Sequence, residues 1–335
     1  LASINTRYGL VGPDGESLDP SGTNRRIREL VGMLPKAVYV GFTATPFANV
    51  LIDEEDASDL YPRDFIATLP EPPDYMGPRQ LFGLGLTPSH LTPELEESPE
   101  LDVIRLVDEH DMNDLISAGT ECPSFLSDAI LSFILSCCAR LARGQEGSHF
   151  SMLVHPSHLT ADQAVCAGKV EEELRAVRTY IERPRSFPTF AERARALWET
   201  DFVPLTVGLE HESRFVASFD DIWSYAKALV SQIEVKIINS AQPRDDGNLE
   251  YHGRPKRYIV VGGNRLARGL TLEGLSVSVF RRTSSMYDTL LQMGRWFGYR
   301  RDYRDLTRLY VTQQMSDRFK DLARIELELR RDFRK

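Results

Sequence analysis

Short apolar segments of strand length alternate with helical patterns through the last two thirds of the chain. The segments predicted as strands are residues 152–155, 235–239, 258–261, 275–280 and 306–311. Helical patterns over residues 124–143, 160–183 and 220–232 separate most of them. Strands that alternate with helices form a parallel sheet with helices on its faces. The pattern therefore predicts an α/β fold with a parallel sheet that is covered on both faces.

The N-terminal residues are predicted to be the end of another α/β lobe. A short amphipathic helix is expected over residues 22–34, and Pro35 ends it. Residues 37–40 then form an apolar run without a polar face, which is typical of a buried strand in a parallel sheet. Residues 1–52 would complete a first lobe whose earlier strands are absent. Because the chain begins at Leu1, we expect it to be a fragment of a longer protein.

An insertion is predicted between this first lobe and the second lobe. Residues 53–123 are rich in Pro and acidic side chains, and we expect little regular structure there. Four aromatic side chains would attach the insertion to the lobe surface: Tyr61, Phe65, Tyr75 and Phe82. The second lobe would span residues 124–335, with a small helical insertion near residues 184–215.

The charge of the chain is unevenly distributed. The net charge is −9, but residues 51–130 contain nineteen acidic and three basic side chains. Residues 251–335 contain nineteen basic and nine acidic side chains, so the C-terminal quarter is strongly positive. A local positive field favours phosphate binding whatever the total charge. The basic residues from Arg330 onward are interpreted only as a solvated helix end.

Cysteine usage and hydropathy indicate a cytoplasmic protein. The four Cys form no CxxC pair, and Cys137 and Cys138 are adjacent in an apolar helix, which fits a reducing compartment without a zinc site. The most apolar run, residues 129–139, is too short to span a bilayer, and no signal peptide is visible. We therefore expect no metal site and no membrane partner.

Three polar segments are candidate functional sites. Thr43 and Thr45 follow the predicted strand at residues 37–40, at the end of a sheet where α/β proteins place ligands. The segment GGNRLARG at residues 262–269 follows another strand, and its glycines would let the backbone approach a phosphate. Gln292, Arg295 and Arg300 follow a predicted helix, and arginines stabilise developing charge in phosphoryl transfer. Alone, each segment also fits an ordinary turn or a surface arginine pair.

Taken together and in this order, the three segments resemble motifs III, V and VI of superfamily-two helicases and translocases. The stretches YVGFTATPFANV, VVGGNRLARGLTLEG and YDTLLQMGRWFGYR resemble more narrowly the bacterial "Z-one" (Z1) domain family. That helicase-associated family is often labelled as an endonuclease and is found near restriction and phage-defence genes. The resemblance implies a RecA-like, P-loop NTPase-type parallel sheet, with the second helicase lobe complete and the first only partly present.

The resemblance also implies a role for each matching residue. Gln292, Arg295 and Arg300 would act in catalysis, with Arg295 the preferred arginine finger. Thr43, Thr45, Arg268 and Gly269 would couple the nucleotide state to nucleic acid. The residues implied to contact DNA are His155, Ser157 and Asn264, of which the first two correspond to motif IV. ATP and Mg²⁺ would be the cofactors of the full-length protein.

Departures from the helicase pattern limit these expectations. The chain contains no GxxxxGK[ST] motif, and no long apolar strand precedes the acid pair Asp220-Asp221. We therefore expect the fragment alone to hold neither cofactor and to have no ATPase activity. Thr271 stands where motif V usually has an Asp. The spacing of Arg295 and Arg300 also differs from the usual Gly-Arg-x-x-Arg.

The resemblance implies that the chain is the C-terminal part of an ATP-dependent DNA helicase or translocase of a bacterial restriction or phage-defence system. DNA and other defence proteins would be its partners. Two alternatives stay open. Glu234 and Lys236, with Asp220 or Asp221, faintly resemble a metal-dependent nuclease centre. Alternatively, a degenerate helicase fold would act as a scaffold for partner proteins.

Overall fold

The computed structural model describes residues 22–42, 64–69, 71–72, 74–87, 93–209, 216–239, 249–267, 270–281, 290 and 293–333. They belong to two compact units, Leu1–Leu69 and Pro70–Lys335. The described α-helices are α1 (Gly22–Gly32), α2 (Pro78–Phe82), α3 (Glu109–Asn113), α4 (Ser124–Ala142), α5 (Thr160–Glu182), α6 (Pro188–Leu197), α7 (Val203–Gly208), α8 (Phe219–Trp223), α9 (Ala226–Val230) and α10 (Gln313–Asp332). The described strands are β1 (Tyr75–Met76), β2 (Leu84–Leu86), β3 (Leu95–Glu97), β4 (Ile104–Leu106), β5 (Phe150–His155), β6 (Ile233–Ile238), β7 (Arg257–Gly262), β8 (Leu275–Phe280), β9 (Gly298–Tyr299) and β10 (Arg308–Val311).

The first unit contains the predicted helix but not the predicted strand. Helix α1 matches the expected amphipathic segment, although it ends at Gly32. Residues 37–42 form neither a helix nor a strand and are exposed, with Val38 87% and Phe42 95% accessible. The prediction of a buried strand at residues 37–40 is therefore wrong for this structure. An extended segment becomes a strand only when a neighbour completes its hydrogen-bond ladder, and no described residue of this unit does so.

The second unit is built on a six-stranded sheet in the order β4-β10-β8-β5-β7-β6. Every neighbouring pair is parallel. The five predicted strands are all present, and their ends shift by no more than two residues. The α/β fold with a parallel sheet is confirmed. The helical pattern at residues 220–232 divides into α8 and α9.

One face of the sheet is covered by helices. Strand residues such as Met152, Ile259 and Val277 join a large hydrophobic cluster with α4, α5, α8 and α9. Among the described residues, α4 is the one helix long and apolar enough to cross a membrane, but 83% of its apolar window is buried inside the unit. This burial makes α4 the central core helix of the fold.

The opposite face is also covered, as expected, but in two different ways. Over β10 and β8, helices α10 and α2 close a second cluster that contains Phe280, Trp296 and Phe319. Over β5, β7 and β6, the third cluster is closed by Leu266, Leu272 and their neighbours in the connection between β7 and β8. We call this second area the loop-covered face.

The acidic insertion contains more regular structure than the sequence predicts. Strand β4 lies within residues 53–123, yet it pairs in parallel with β10 as an edge strand of the main sheet. Strand β1 pairs with β9, and β2 pairs with β3. Of the predicted aromatic anchors, Phe82 is buried, whereas Phe65 is 63% exposed. The insertion is therefore partly integrated into the second unit, because short apolar stretches between its acidic residues find strand partners.

Ion pairs attach the helical insertion to the sheet. The insertion comprises α6, a π-helical turn over Trp198–Phe202, and α7. Asp201 in the turn accepts a hydrogen bond of 2.7 Å from Nε of Arg308, and another of 3.0 Å from Nε of Arg105. Arg105 belongs to β4 and Arg308 to β10. One carboxylate therefore connects the insertion to two adjacent strands.

Candidate functional site

The order in which the chain adds strands to the sheet reverses between β5 and β8, so the carboxyl ends of these two strands form a topological switch point. The connection after β5 leads towards the β6 edge, whereas the connection after β8 leads towards the β10 side. Ligands of open α/β sheets bind in the crevice outside such a switch point. The residues that follow these strands are therefore the first candidates for a binding site.

The predicted motif IV and motif V residues meet at this edge. His155 ends β5 and is 1% exposed, and its ring packs 5.0 Å from that of Phe280 at the end of β8. The backbone oxygen of Ser157 accepts a 3.0 Å hydrogen bond from the amide of Gln163 in α5. A Cβ at Gly263 would lie 2.3 Å from that amide nitrogen. The glycine is thus needed for close approach of the two segments.

Arg281 forms hydrogen bonds at the same edge of the sheet. It was not among the residues predicted from sequence. Its guanidinium donates to the backbone oxygen of Pro156 at 3.1 Å and to Oδ1 of Asn113 at 2.8 Å from Nη2. Asn113 ends α3, which follows edge strand β4. Arg281 therefore joins the segments after three strands. Its position directly after a strand of the predicted sheet was the available signal.

One group of side chains in the described residues has a spacing that could hold a cation. The ligand atoms of His110, Asp111 and Asp114 all lie within 4.8 Å of one another. His110 and Asp111 are exposed, and exposed acidic groups commonly have this arrangement without an ion. The group belongs to the acidic insertion and includes none of the predicted site residues.

The motif V segment is only partly described. A 3₁₀ helix covers Asn264–Ala267, so Asn264 opens it, and Nη1 of Arg265 donates to the backbone oxygen of Asn239 at 3.0 Å. Leu266 turns inward and is 1% exposed. Arg268 and Gly269, predicted to couple nucleotide and nucleic acid, lie outside the described residues.

Arg295 lies in residues 294–300, the segment predicted as motif VI, which we call the motif VI turn. It connects this turn to the end of the predicted motif V segment. Its Nη2 donates to the backbone oxygen of Leu270. The side chain is half-buried, and its burial, reinforced by the charge of Arg300, lowers its pKa from the ordinary value. Among the described residues, the guanidinium is held on the loop-covered face by the carbonyl of Leu270.

Arg300 has a different environment. It is 8% exposed, and its guanidinium donates to the backbone oxygens of Tyr299 at 2.9 Å and Arg295 at 3.0 Å. It lines a small internal space with Leu275 and Arg308, which begin β8 and β10. Burial lowers its pKa. Arg300 therefore lies towards the amino ends of the strands, where its guanidinium donates hydrogen bonds to the carbonyls of its own turn.

Three other predicted site residues, Thr43, Thr45 and Gln292, lie outside the described residues. The described part of the chain thus brings His155 and Ser157 together with the start of motif V at one edge of the sheet. It brings Arg295 together with the end of motif V on the loop-covered face. No described hydrogen bond joins these two groups directly.

The residues of the alternative nuclease centre lie on opposite faces of the sheet. Lys236 and Glu234 form an ion pair of 2.8 Å, and Lys236 lies over the ring of Tyr258 on the loop-covered face. Asp220 belongs to α8, which packs on the helical face, and it pairs with Arg195 at 2.6 Å. The sheet therefore separates these carboxylates.

Comparison with known proteins gives one match. The sequence model of the Z1 domain matches residues 125–335 of the chain. No curated protein and no solved structure gives a significant match.

Proposed function

The chain belongs to the Z1 domain family, and from this premise we propose that it is the C-terminal part of an ATP-dependent DNA helicase or translocase. Its six-stranded parallel sheet would be the second RecA-like lobe, and the protein would serve bacterial restriction or phage defence. The observation that carries the proposal is the hydrogen bond from Arg295 to the backbone of Leu270. It places a half-buried guanidinium from the motif VI turn against the motif V loop.

Arg295 would act as the arginine finger. Its charge would stabilise the charge that develops on the γ-phosphate of ATP during transfer to water. Arg295 is half-buried and its described partner is the carbonyl of Leu270, whereas Arg300 is buried and its guanidinium donates to carbonyls of its own turn. This difference supports Arg295 as the finger and Arg300 as part of its frame. Gln292 would assist at the same site.

Motifs IV and V would contact DNA and relay the nucleotide state. We propose that Asn264 lies along the DNA path at the carboxyl ends of the strands, and that the buried His155 and Ser157, 1% and 6% exposed, support this edge from inside. Arg268 and Gly269 would link that path to Arg295, because Leu270 follows them directly and accepts the bond from Arg295. The excess of basic residues in 251–335 would supply the attraction for phosphate. Thr43 and Thr45 would sense ATP from the first lobe.

The described residues around Arg295 and Ser157 do not fit a Mg²⁺ site. The described groups that hydrogen-bond to them are a carbonyl, a guanidinium, a backbone N–H and an amide, with no carboxylate among them. Mg²⁺ prefers carboxylate and phosphate oxygens. We therefore propose that Mg²⁺ and most of the ATP contacts are supplied by parts of the natural protein other than these residues.

Steady-state ATP hydrolysis by the natural full-length protein, with and without DNA, tests the proposal. We expect DNA-stimulated turnover that falls by about a hundredfold or more in Arg295→Ala, without a change in melting temperature. Arg324→Ala is the matched control, since it removes an exposed arginine whose partner is Glu97. Residues 1–335 alone should show no turnover.

Two results would overturn the proposal. If no nucleic acid elicits hydrolysis in the full-length protein, a scaffold role becomes the better explanation. If Arg295→Ala hydrolyses ATP as fast as Arg324→Ala, the arginine finger is misassigned. Metal-dependent DNA cleavage that is lost in Glu234→Ala would instead establish a nuclease.

A further inference from the structure

We infer that residues 74–82 of the acidic insertion form a brace that positions the turn carrying Arg295, and that Tyr75 is its positioning residue. This inference rests on the proposed function for its catalytic consequence. Its structural part stands on the contacts of the brace alone.

The brace pairs directly with the end of the motif VI turn. Strand β1 is antiparallel to β9, with Tyr75 opposite Tyr299 and Met76 opposite Gly298. The rings of Tyr75 and Tyr299 meet edge to face, with centroids 5.7 Å apart. Cross-strand aromatic pairs of this kind stabilise a short ladder. Without β1, the two-residue strand β9 would have no partner among the described residues.

Arg300 hydrogen-bonds to both the brace and Arg295. The backbone N–H of Arg300 donates to the backbone oxygen of Asp74 in the brace, at 3.4 Å. Its guanidinium donates to the backbone oxygen of Arg295 at 3.0 Å. A continuous set of contacts therefore runs from the brace through a buried arginine to the turn residue whose side chain reaches Leu270.

The brace is itself fixed to the rest of the unit. Met76, Leu81 and Phe82 are buried in the cluster that includes Trp296 of the motif VI turn. The ring of Phe82 lies 6.4 Å from that of Phe297, edge to face. Because residues 296–300 of the turn pack against or pair with residues 74–82, displacement of the brace would move the Arg295 backbone. A misplacement of about 1 Å in a catalytic group can reduce a rate a hundredfold.

Charged side chains of α10 lie near the brace. Glu71 lies just before the brace and pairs with Arg79 inside it at 3.7 Å. Burial raises the pKa of Glu71, while the charges of Arg79 and of Arg330 in α10 act to lower it.

The test compares three variants of the natural full-length protein: Tyr75→Ala, Tyr75→Phe and Glu97→Gln. Tyr75→Ala removes the contact with Tyr299, and Tyr75→Phe keeps the ring. Glu97→Gln is the matched control, because the 74% exposed side chain of this residue in the same insertion pairs with Arg324, and the substitution keeps its backbone pairing with Leu84 in β2. Two measurements are made on each variant. Steady-state ATP hydrolysis gives kcat and KM for ATP, and hydrogen exchange is followed at the amides of residues 294–300.

We expect Tyr75→Ala to lower kcat by about tenfold, with KM for ATP within about twofold, since positioning and not binding is lost. The Arg300 amide should exchange faster in this variant. Tyr75→Phe and Glu97→Gln should behave as the natural protein in both measurements.

The two measurements separate failure of the brace from failure of the proposed function. If the natural protein does not hydrolyse ATP, the proposed function fails, and amide exchange alone decides whether the brace orders the turn. Unchanged exchange in Tyr75→Ala overturns the brace. Faster exchange with unchanged kcat in an active protein overturns the positioning role. An equal loss in Tyr75→Phe would show that the ring contact is not the cause.

Discussion

Removing the Asp201 carboxylate should destabilise the second unit strongly. The carboxylate lies between two guanidiniums, with Arg308 fully buried and Asp201 itself 11% exposed. In Asp201→Ala, Arg308 would keep its hydrogen bonds to the backbone oxygens of Asp305 and Thr307, at 2.9 and 2.6 Å. It would nevertheless be a buried charge without a counter-ion. The perturbation therefore tests whether one carboxylate holds the helical insertion to β4 and β10.

The magnitude follows from this geometry. Breaking a buried ion pair by removing one partner typically costs about 3–5 kcal/mol, because the remaining charge is uncompensated. We expect the lower end, about 3 kcal/mol, since carbonyls still accept hydrogen bonds from Arg308. For a unit of this size, each kcal/mol lowers the melting temperature by about 2–4 °C, so a decrease of about 6–12 °C is expected.

The pH dependence provides a second test of the same pair. Burial alone would raise the pKa of Asp201, but the hydrogen bond from Arg105 and the charge of Arg308 lower it below the ordinary 3.8. A carboxyl group whose pKa is lowered by folding stabilises the protein above its unfolded pKa, and this stabilisation is lost as the pH falls through the folded pKa. The stability difference between the natural protein and Asp201→Ala should therefore be full at neutral pH and decrease below pH 3.8.

Urea denaturation followed by tryptophan fluorescence and circular dichroism measures both effects. Asp220→Ala is the matched control, because Asp220 pairs with Arg195 at 2.6 Å but its side chain is 79% exposed. An exposed pair contributes about 0–1 kcal/mol. The reasoning is refuted if Asp201→Ala loses no more stability than Asp220→Ala at pH 7.

Two further predictions concern the core. Burial raises the pKa of Cys137 and of Cys166 to about 12. At pH 8 these thiols should therefore react with a disulfide reagent only after unfolding. Rapid reaction in the native protein would contradict their burial. Gly274 has φ +67°, and a Cβ there would lie 1.8 Å from the backbone oxygen of His149. Gly274→Ala should lower the free energy of unfolding by about 2 kcal/mol or more. Gly168→Ala, in an open position of α5, should instead raise it by about 0.5–1 kcal/mol. Equal effects of the two substitutions in urea denaturation would contradict this difference.

Most of the sheet could be predicted from sequence because its inner strands β10, β8, β5 and β7 are buried along their whole length. Strands such as β7 and β8 are continuous apolar runs between polar turns, and this pattern depends only on local sequence. Residues 37–40 show where such a pattern fails, since an apolar run forms a strand only when another segment pairs with it. Strand β4 shows the reverse case. Its three residues gain their partner from β10, about two hundred positions along the chain, and no local pattern reports that distance.

The candidate site was predictable in its residue types but not in its geometry. Sequence singled out Arg295 and Arg300 as similar candidates because both are arginines near one helix end. Their difference arises from tertiary contacts, which bury Arg300 among carbonyls and leave Arg295 half-exposed. Arg281 was missed for the same reason, since its partners Asn113 and Pro156 come from segments that follow other strands.

The loop-covered face has a consequence for how variation in this chain should be interpreted. Leu266 and Leu272 close a hydrophobic cluster over β5, β7 and β6, although they stand within the segment that carries the motif V residues. A saturation library across residues 262–274 would therefore mix two kinds of loss. Substitutions at the leucines would reduce the amount of folded protein, whereas those at the polar positions would reduce activity per folded molecule. Abundance and activity must be scored separately before any residue of this loop is assigned a role in chemistry.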